Sequence, residues 1–251
     1  MPTVILIRHG RTTANASGTL AGWTPGVGLD ATGREQVRAL AGRLARVRVA
    51  AVVTSPLRRC RETASGLFAA PGPREPRPDA VTDERLGECH YGDWTGRLLT
   101  DLASEPLWPT VQFHPSAVTF PGPGGESMPD MQHRAVAAVR EHDAAVRDRH
   151  GENAVWLAVS HGDVIKAVLA DALGMHLDAF QRIVVDPCSV SVVRYAPLRP
   201  FVLRINDSGD DLSSGLAPGT APEPAPASAR TSDAVVGGTT GANDAGDART
   251  S

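Results

Sequence analysis

Short apolar runs alternate with helical segments through the first 206 residues, and that alternation narrows the fold more than any other feature. Thr3–Ile7 (TVILI) is a continuous apolar run of the kind that strands buried on both faces show. Over Asp30–Arg46 apolar residues recur at helical spacing (Val37, Leu40, Ala41, Leu44), with Thr32 and Glu35 placed as a capping box. Ala51–Thr54 predicts the next strand and Leu57–Phe68 the next helix. Ser127–Arg149 predicts a long amphipathic helix, Ala154–Val159 a strand and Asp163–Leu173 a helix. Ser189–Tyr195 and Phe201–Ile205 predict closing strands in a hairpin. The expectation is one three-layer α/β domain, with a mostly parallel sheet and helices on both faces. Pro71–Glu126 is rich in Pro and Gly and reads as long loops with short helices that cover a site.

Composition changes at Asp207. From there to Ser251 the chain is mostly Gly, Ala, Pro, Ser, Thr and Asp, without aromatic residues or sustained periodicity. Such a stretch buries too little apolar surface to offset its ordering entropy, so 207–251 is expected to be a disordered acidic tail. The tail carries a net charge of −5 and residues 1–206 carry +2, giving −3 for the whole. That balance gives no reason to expect nucleic acid or an anionic membrane as partner. No apolar run approaches the roughly 20 residues of a membrane span, and no basic stretch precedes Thr3–Ile7, so no signal peptide is expected. The three cysteines, Cys60, Cys89 and Cys188, are scattered and odd in number. They read as reduced thiols of a cytoplasmic protein. Cys89–His90 alone does not make a zinc site, and Gly122–Gly125 lacks the Gly-Lys-Ser/Thr of a nucleotide loop. Neither a metal nor a cofactor is expected.

The chemistry gathers at strand ends, where open α/β sheets bind ligands. Two predicted strands end in histidine followed by glycine: Arg8-His9-Gly10 and Ser160-His161-Gly162. A third ends in Thr54-Ser55 and opens a helix bearing Arg58, Arg59 and Arg61. Two histidines and several arginines on one rim make an anion site with a nucleophile built in. Guanidinium groups neutralise phosphate with planar, paired hydrogen bonds and keep their protons. Their charge also disfavours imidazolium, leaving a histidine lone pair free to attack phosphorus. Glycines at 10 and 162 are expected to allow close approach and to offer N–H donors. His90, His114, His133, His142, His150 and His176 belong to no motif and read as surface residues.

These blocks resemble the histidine phosphatase superfamily, which includes the phosphoglycerate mutase-like enzymes. Leu6-Ile7-Arg8-His9-Gly10-Arg11-Thr12 is similar to that family's opening signature, with Arg11 where Glu or Gln is commoner. The resemblance implies that His9 is the phosphorylated nucleophile, with Arg8 and Asn15 holding phosphoryl oxygens. It places the family's second phosphate-binding arginine on Arg59, within Thr54–Ala64. Leu86–Gly96 looks like the third block, whose acid falls on Glu88; Gly124–Ser127 resembles a fourth. Val159-Ser160-His161-Gly162 resembles the fifth and supplies the second histidine. By this likeness His9, Glu88, His161, Arg8 and Arg59 are the catalytic set. Arg8, Asn15, Arg59, His161 and Gly162 then contact a small phosphorylated substrate.

If water takes the phosphoryl group the enzyme is a phosphatase; if a second substrate hydroxyl takes it, a mutase. Mutases of the family that need a bisphosphoglycerate primer carry a long basic insertion after the third block. Here Arg97–Pro123 has Arg97 as its only Arg or Lys and is otherwise apolar and Pro-rich. The expectation is therefore a phosphatase, with the mutase as alternative. A silent binding module of the same fold would be expected to lack part of the catalytic set.

Overall fold

The computed structural model describes residues 1–69, 78–209 and 237. In chain order the elements are β1 (Thr3–Arg8), a single turn α1 (Thr13–Ala16), α2 (Ala31–Arg43), β2 (Val49–Thr54), α3 (Arg58–Gly66) and β3 (Ala80–Thr82). There follow α4 (Leu99–Leu102), α5 (Trp108–Phe113), α6 (Met128–His150), β4 (Val155–Ser160), α7 (Gly162–Ala172), β5 (Val190–Tyr195) and β6 (Pro200–Asp207). The six strands form one sheet in the order β3-β2-β4-β1-β5-β6. β1, β2, β3 and β4 pair in parallel; β5 runs antiparallel to β1 and forms the expected hairpin with β6.

Strand alternation divides β1 between two cores. Val4 and Leu6 face the layer of α6 and α7, together with Trp156, Met131 and Ile165. Ile5 and Ile7 face the layer of α2 and α3, together with Val37, Leu40 and Cys60. A strand covered on both faces cannot alternate with polar residues, which is why TVILI is unbroken. The register then does the functional work: Arg8 lies opposite Ser160 and Thr54 opposite Val159. Three parallel strands therefore end within one residue of the same level, and the residues that follow them (His9, His161 and Ser55) emerge on one rim.

Several local expectations change. The α2 cap is Asp30, whose side chain accepts from the Gly33 N–H, and not the Thr32/Glu35 box. Asp30 is the better placed acceptor because it precedes the first helical turn. β3 was hidden in the Pro- and Gly-rich stretch; it is three residues long and exposed on an edge, so it lacks an apolar pattern. His142 is not a free surface group: its Nε2 lies 2.8 Å from Asp83 Oδ2. The expectation of a disordered tail lies outside the described residues apart from Asp207, which ends β6, Ser208, Gly209 and Gly237.

The turn after β1 is pressed against α2. A Cβ on Gly33 would stand 2.1 Å from the Arg11 carbonyl oxygen, and one on Gly10 would stand 2.8 Å from the Gly33 carbonyl oxygen. Glycine to alanine in a helix interior ordinarily stabilises by about 0.5–1 kcal/mol. Gly33→Ala should instead destabilise by roughly 2 kcal/mol or more in urea unfolding and lower turnover, because His9 sits on the displaced turn. A stabilised, fully active variant would contradict this packing.

Candidate active site

His9 follows β1 and is anchored by its backbone N–H, which donates to the Ser160 carbonyl at 3.0 Å. Its ring is 3% exposed in sum with its backbone and is fixed at both nitrogens. Nδ1 lies 2.8 Å from the Gly10 carbonyl, which can only accept, so Nδ1 carries the proton. Arg59 Nε, which can only donate, lies 3.2 Å from Nε2. The Nε2 lone pair is therefore exposed to a cation. Burial, then the charges of Arg59 and Arg8, hold this imidazole well below its ordinary value, against the hydrogen bond to Gly10.

His161 is the residue before α7 and is held in the opposite tautomer. Arg59 Nη2 donates to its Nδ1 at 3.1 Å, so Nε2 bears the proton and donates to Ser55 Oγ at 2.8 Å. Burial, then Arg59, His9 and Arg8, depress this group too. The two rings meet edge to face, centroids 5.3 Å apart. Arg59 itself is positioned by α3, and its Nη2 also donates to the Gly22 carbonyl at 2.9 Å. Four residues on along the same helix face, Thr63 Oγ1 accepts the Gly10 N–H at 3.1 Å. That N–H was expected to face a ligand; it is instead used to fix the turn.

Glu88 closes the site from the third block. Its Oε1 accepts the Cys89 N–H at 3.0 Å and its Oε2 lies 3.9 Å from His161 Nδ1. Its main chain is clamped, because Trp23 Nε1 and Arg134 Nη2 both donate to the Glu88 carbonyl. Burial and then the charge of Asp163 push the carboxyl up to about 7, against Arg59, the Cys89 N–H and Arg8. Asn15 is foremost a capping residue, whose Oδ1 accepts the Thr12 N–H at 3.1 Å. It nonetheless lines the same cavity as His9, Arg59, Glu88 and Tyr91. Gly162 opens α7 and is buried. Arg11 stands apart, donating to Asp30 and Thr32 of the α2 start. Arg58 pairs with Glu62.

Sequence reasoning missed Ser55, Thr63, Tyr91, Arg134 and Asp163. Ser55 had a signal, being the residue at the third strand end. The others act through side chains whose partners are distant in sequence. Among the described residues no group of three or more His, Cys, Asp or Glu converges as a metal site.

A buried pair of neutral histidines bridged by a guanidinium, with a raised carboxyl beside them, defines a phosphoryl-transfer class of site on an α/β sheet. The chain belongs to the histidine phosphatase superfamily, branch 1, whose model matches residues 4–208. It is 32% identical over 177 residues to a glucosyl-3-phosphoglycerate phosphatase of Mycolicibacterium vanbaalenii, covering 70% of this chain and 76% of that one. It is 27% identical to a 2,3-bisphosphoglycerate-dependent phosphoglycerate mutase 2 of Gloeobacter violaceus, covering 75% and 83%. Among solved structures it is similar to Bacillus stearothermophilus YhfR, with a TM-score of 0.72 and 29% identity, covering 82% and 98%.

One further contact comes from far along the chain. The Gly237 carbonyl accepts from Arg8 Nη2 at 3.1 Å, and its N–H donates to Asp163 Oδ2 at 3.0 Å. Gly237 thus lines the cavity beside His9. That carbonyl occupies an N–H of Arg8 that an oxyanion in the cavity would compete for. Deleting residues 210–251 should tighten binding of inorganic phosphate by roughly 2- to 10-fold, the worth of one net hydrogen bond, in calorimetric titration. Unchanged or weaker binding would contradict it.

Proposed function

We propose that this protein is a metal-independent, cytoplasmic phosphatase that hydrolyses a small phosphate monoester through a phosphohistidine on His9. The observation that carries this reading is the orientation of the His9 lone pair. Nε2 is unprotonated, buried and directed at a guanidinium. An incoming phosphoryl group takes over the N–H groups of Arg59 and Arg8, and Nε2 is released towards phosphorus. Nε2 attacks, the P–O ester bond breaks, and the proton on Glu88 passes to the leaving oxygen. The Nδ1–H bond to Gly10 then holds the resulting imidazolium. His161 Nδ1, relieved of Arg59, takes a proton from solvent as the dianionic substrate enters and donates it in a hydrogen bond to a phosphoryl oxygen. In the second half-reaction water attacks phosphorus, Glu88 accepts its proton and the P–N bond breaks. Asn15 and Gly162 complete the phosphate contacts.

Phosphatase is preferred to mutase because of the loop over the site. Arg97, the only Arg or Lys between Arg97 and Pro123, is itself paired with Glu105 at 2.6 Å. A second phosphate would meet no uncommitted cation on that loop. The mutase reading rests on the same core residues and on relatives of that activity.

With p-nitrophenyl phosphate and a panel of phosphorylated metabolites in excess EDTA, the protein should release phosphate. With 3-phosphoglycerate and a bisphosphoglycerate primer it should give free phosphate or nothing. Rapid formation of 2-phosphoglycerate would replace this reading with the mutase. Glu88→Gln should slow alkyl phosphates by roughly 10²- to 10⁴-fold, the range of general acid catalysis, and p-nitrophenyl phosphate far less. Equal slowing of both would remove Glu88 as the proton donor.

A further inference from the structure

Two residues after His161, in the first turn of α7, Asp163 is 1% exposed. Its Oδ2 accepts the Tyr91 hydroxyl at 2.8 Å and the Gly237 N–H, and its Oδ1 lies 3.7 Å from Lys166 Nζ. Lys166, the only lysine in the chain, is 3% exposed and donates to Gln181 Oε1 at 3.0 Å. A buried ion pair gains little stability over apolar packing, because desolvation offsets the attraction. This one stands directly behind the catalytic groups. Tyr91 follows Glu88 by three residues, so its hydroxyl ties the Glu88 loop to the start of α7.

The surroundings of Glu88 show what is at stake. Arg8 faces it from β1, Arg59 from α3, and Arg134 from α6. His161, at the end of β4, lies 3.9 Å away. Asp163 and Lys166 face it from α7, Cys60 from α3, and Cys89 and Tyr91 from its own loop. Three guanidinium groups favour a carboxylate there, whereas proton donation to a leaving oxygen needs the acid. Among the described residues Glu126 is taken up by Arg134 and Asp186 acts on Arg8, whereas the charge of Asp163 acts on Glu88 itself.

We propose that Asp163 is a positioning residue that keeps the proton on Glu88 for the first half-reaction, with Lys166 moderating its charge. The inference rests on the reading of Glu88 as general acid. Asp163 touches neither the phosphoryl group nor the leaving oxygen; it acts through Glu88. A negative charge behind the acid offsets the arginines that bind phosphate, so one site both neutralises a dianion and retains a proton. The Tyr91 bond fixes the separation of the two carboxyl groups by holding the loop of one to the helix of the other.

The test is the pH profile of kcat/KM on the full chain, with glycerol phosphate and p-nitrophenyl phosphate as probes. For wild type the alkaline limb with glycerol phosphate reports loss of the Glu88 proton. Asp163→Asn should move that limb to lower pH by roughly one unit, because a like charge is removed. Lys166→Met should move it to higher pH, because Asp163 is then unopposed. Neither should shift the p-nitrophenyl phosphate profile. Opposite movements separate an electrostatic role from damage to packing, which would shift both variants alike or lower rates without moving the limb. Should Asp163→Asn fail to fold, Asp163→Ser, which removes the same charge and keeps an acceptor for the Tyr91 hydroxyl, should move the limb the same way, and an unmoved limb in that variant would overturn the proposal. In a Glu88→Gln background neither substitution should change the profile. If Glu88→Gln leaves the glycerol phosphate limb intact, the general-acid reading fails. If it abolishes the limb while Asp163→Asn leaves it in place, only the role of Asp163 fails.

Discussion

Arg59 donates to both histidines at once, Nε to His9 Nε2 and Nη2 to His161 Nδ1. A guanidinium has donors only and keeps its proton, so each contact forces the facing nitrogen to be an acceptor. The two rings are thereby set in opposite tautomers, with Gly10 and Ser55 taking the remaining protons. Much else in the fold serves this geometry. The shared register of β1 and β4 brings the histidines together, and α3 delivers Arg59 between them. Thr63, on the same face of α3, ties the turn after β1 to that helix.

The side chains of the site are buried, which strengthens each charge and raises the cost of leaving one unmatched. Burial depresses both imidazoles and raises Glu88, so desolvation favours neutral rings and a protonated carboxyl. The arginines assist the first effect and oppose the second. Asp163 on α7 lies where it corrects that opposition, and the clamps on the Glu88 main chain from Trp23 and Arg134 keep the acid in place. Phosphate recognition and proton retention make conflicting demands on the same few ångströms, and the surrounding loops reconcile them.

The strand-end histidines were legible because apolar runs fix where parallel strands stop, and the residues just beyond face the ligand side of the sheet. That α3 would bring arginine to the same rim was legible too. Which of Arg58, Arg59 and Arg61 points inward was not evident from spacing; family likeness selected Arg59, and burial agrees, at 2% exposure. Asn15 showed its capping role and its place in the cavity only in three dimensions. Asp163 read as an ordinary acid at a helix start, since its partners Tyr91 and Gly237 are 72 and 74 residues away. Three-residue β3 and the Gly237 contact carry no periodic signal at all.

We take the Nε2 lone pair of His9 to be the group that meets phosphorus. Quenching the wild-type enzyme during turnover of p-nitrophenyl phosphate, followed by mapping of the modified peptide, tests it directly. A phosphoryl group is expected on His9 in an acid-labile, base-stable P–N bond, with adduct and turnover both lost in His9→Ala. An adduct on another residue, or an active His9→Ala protein, would contradict it.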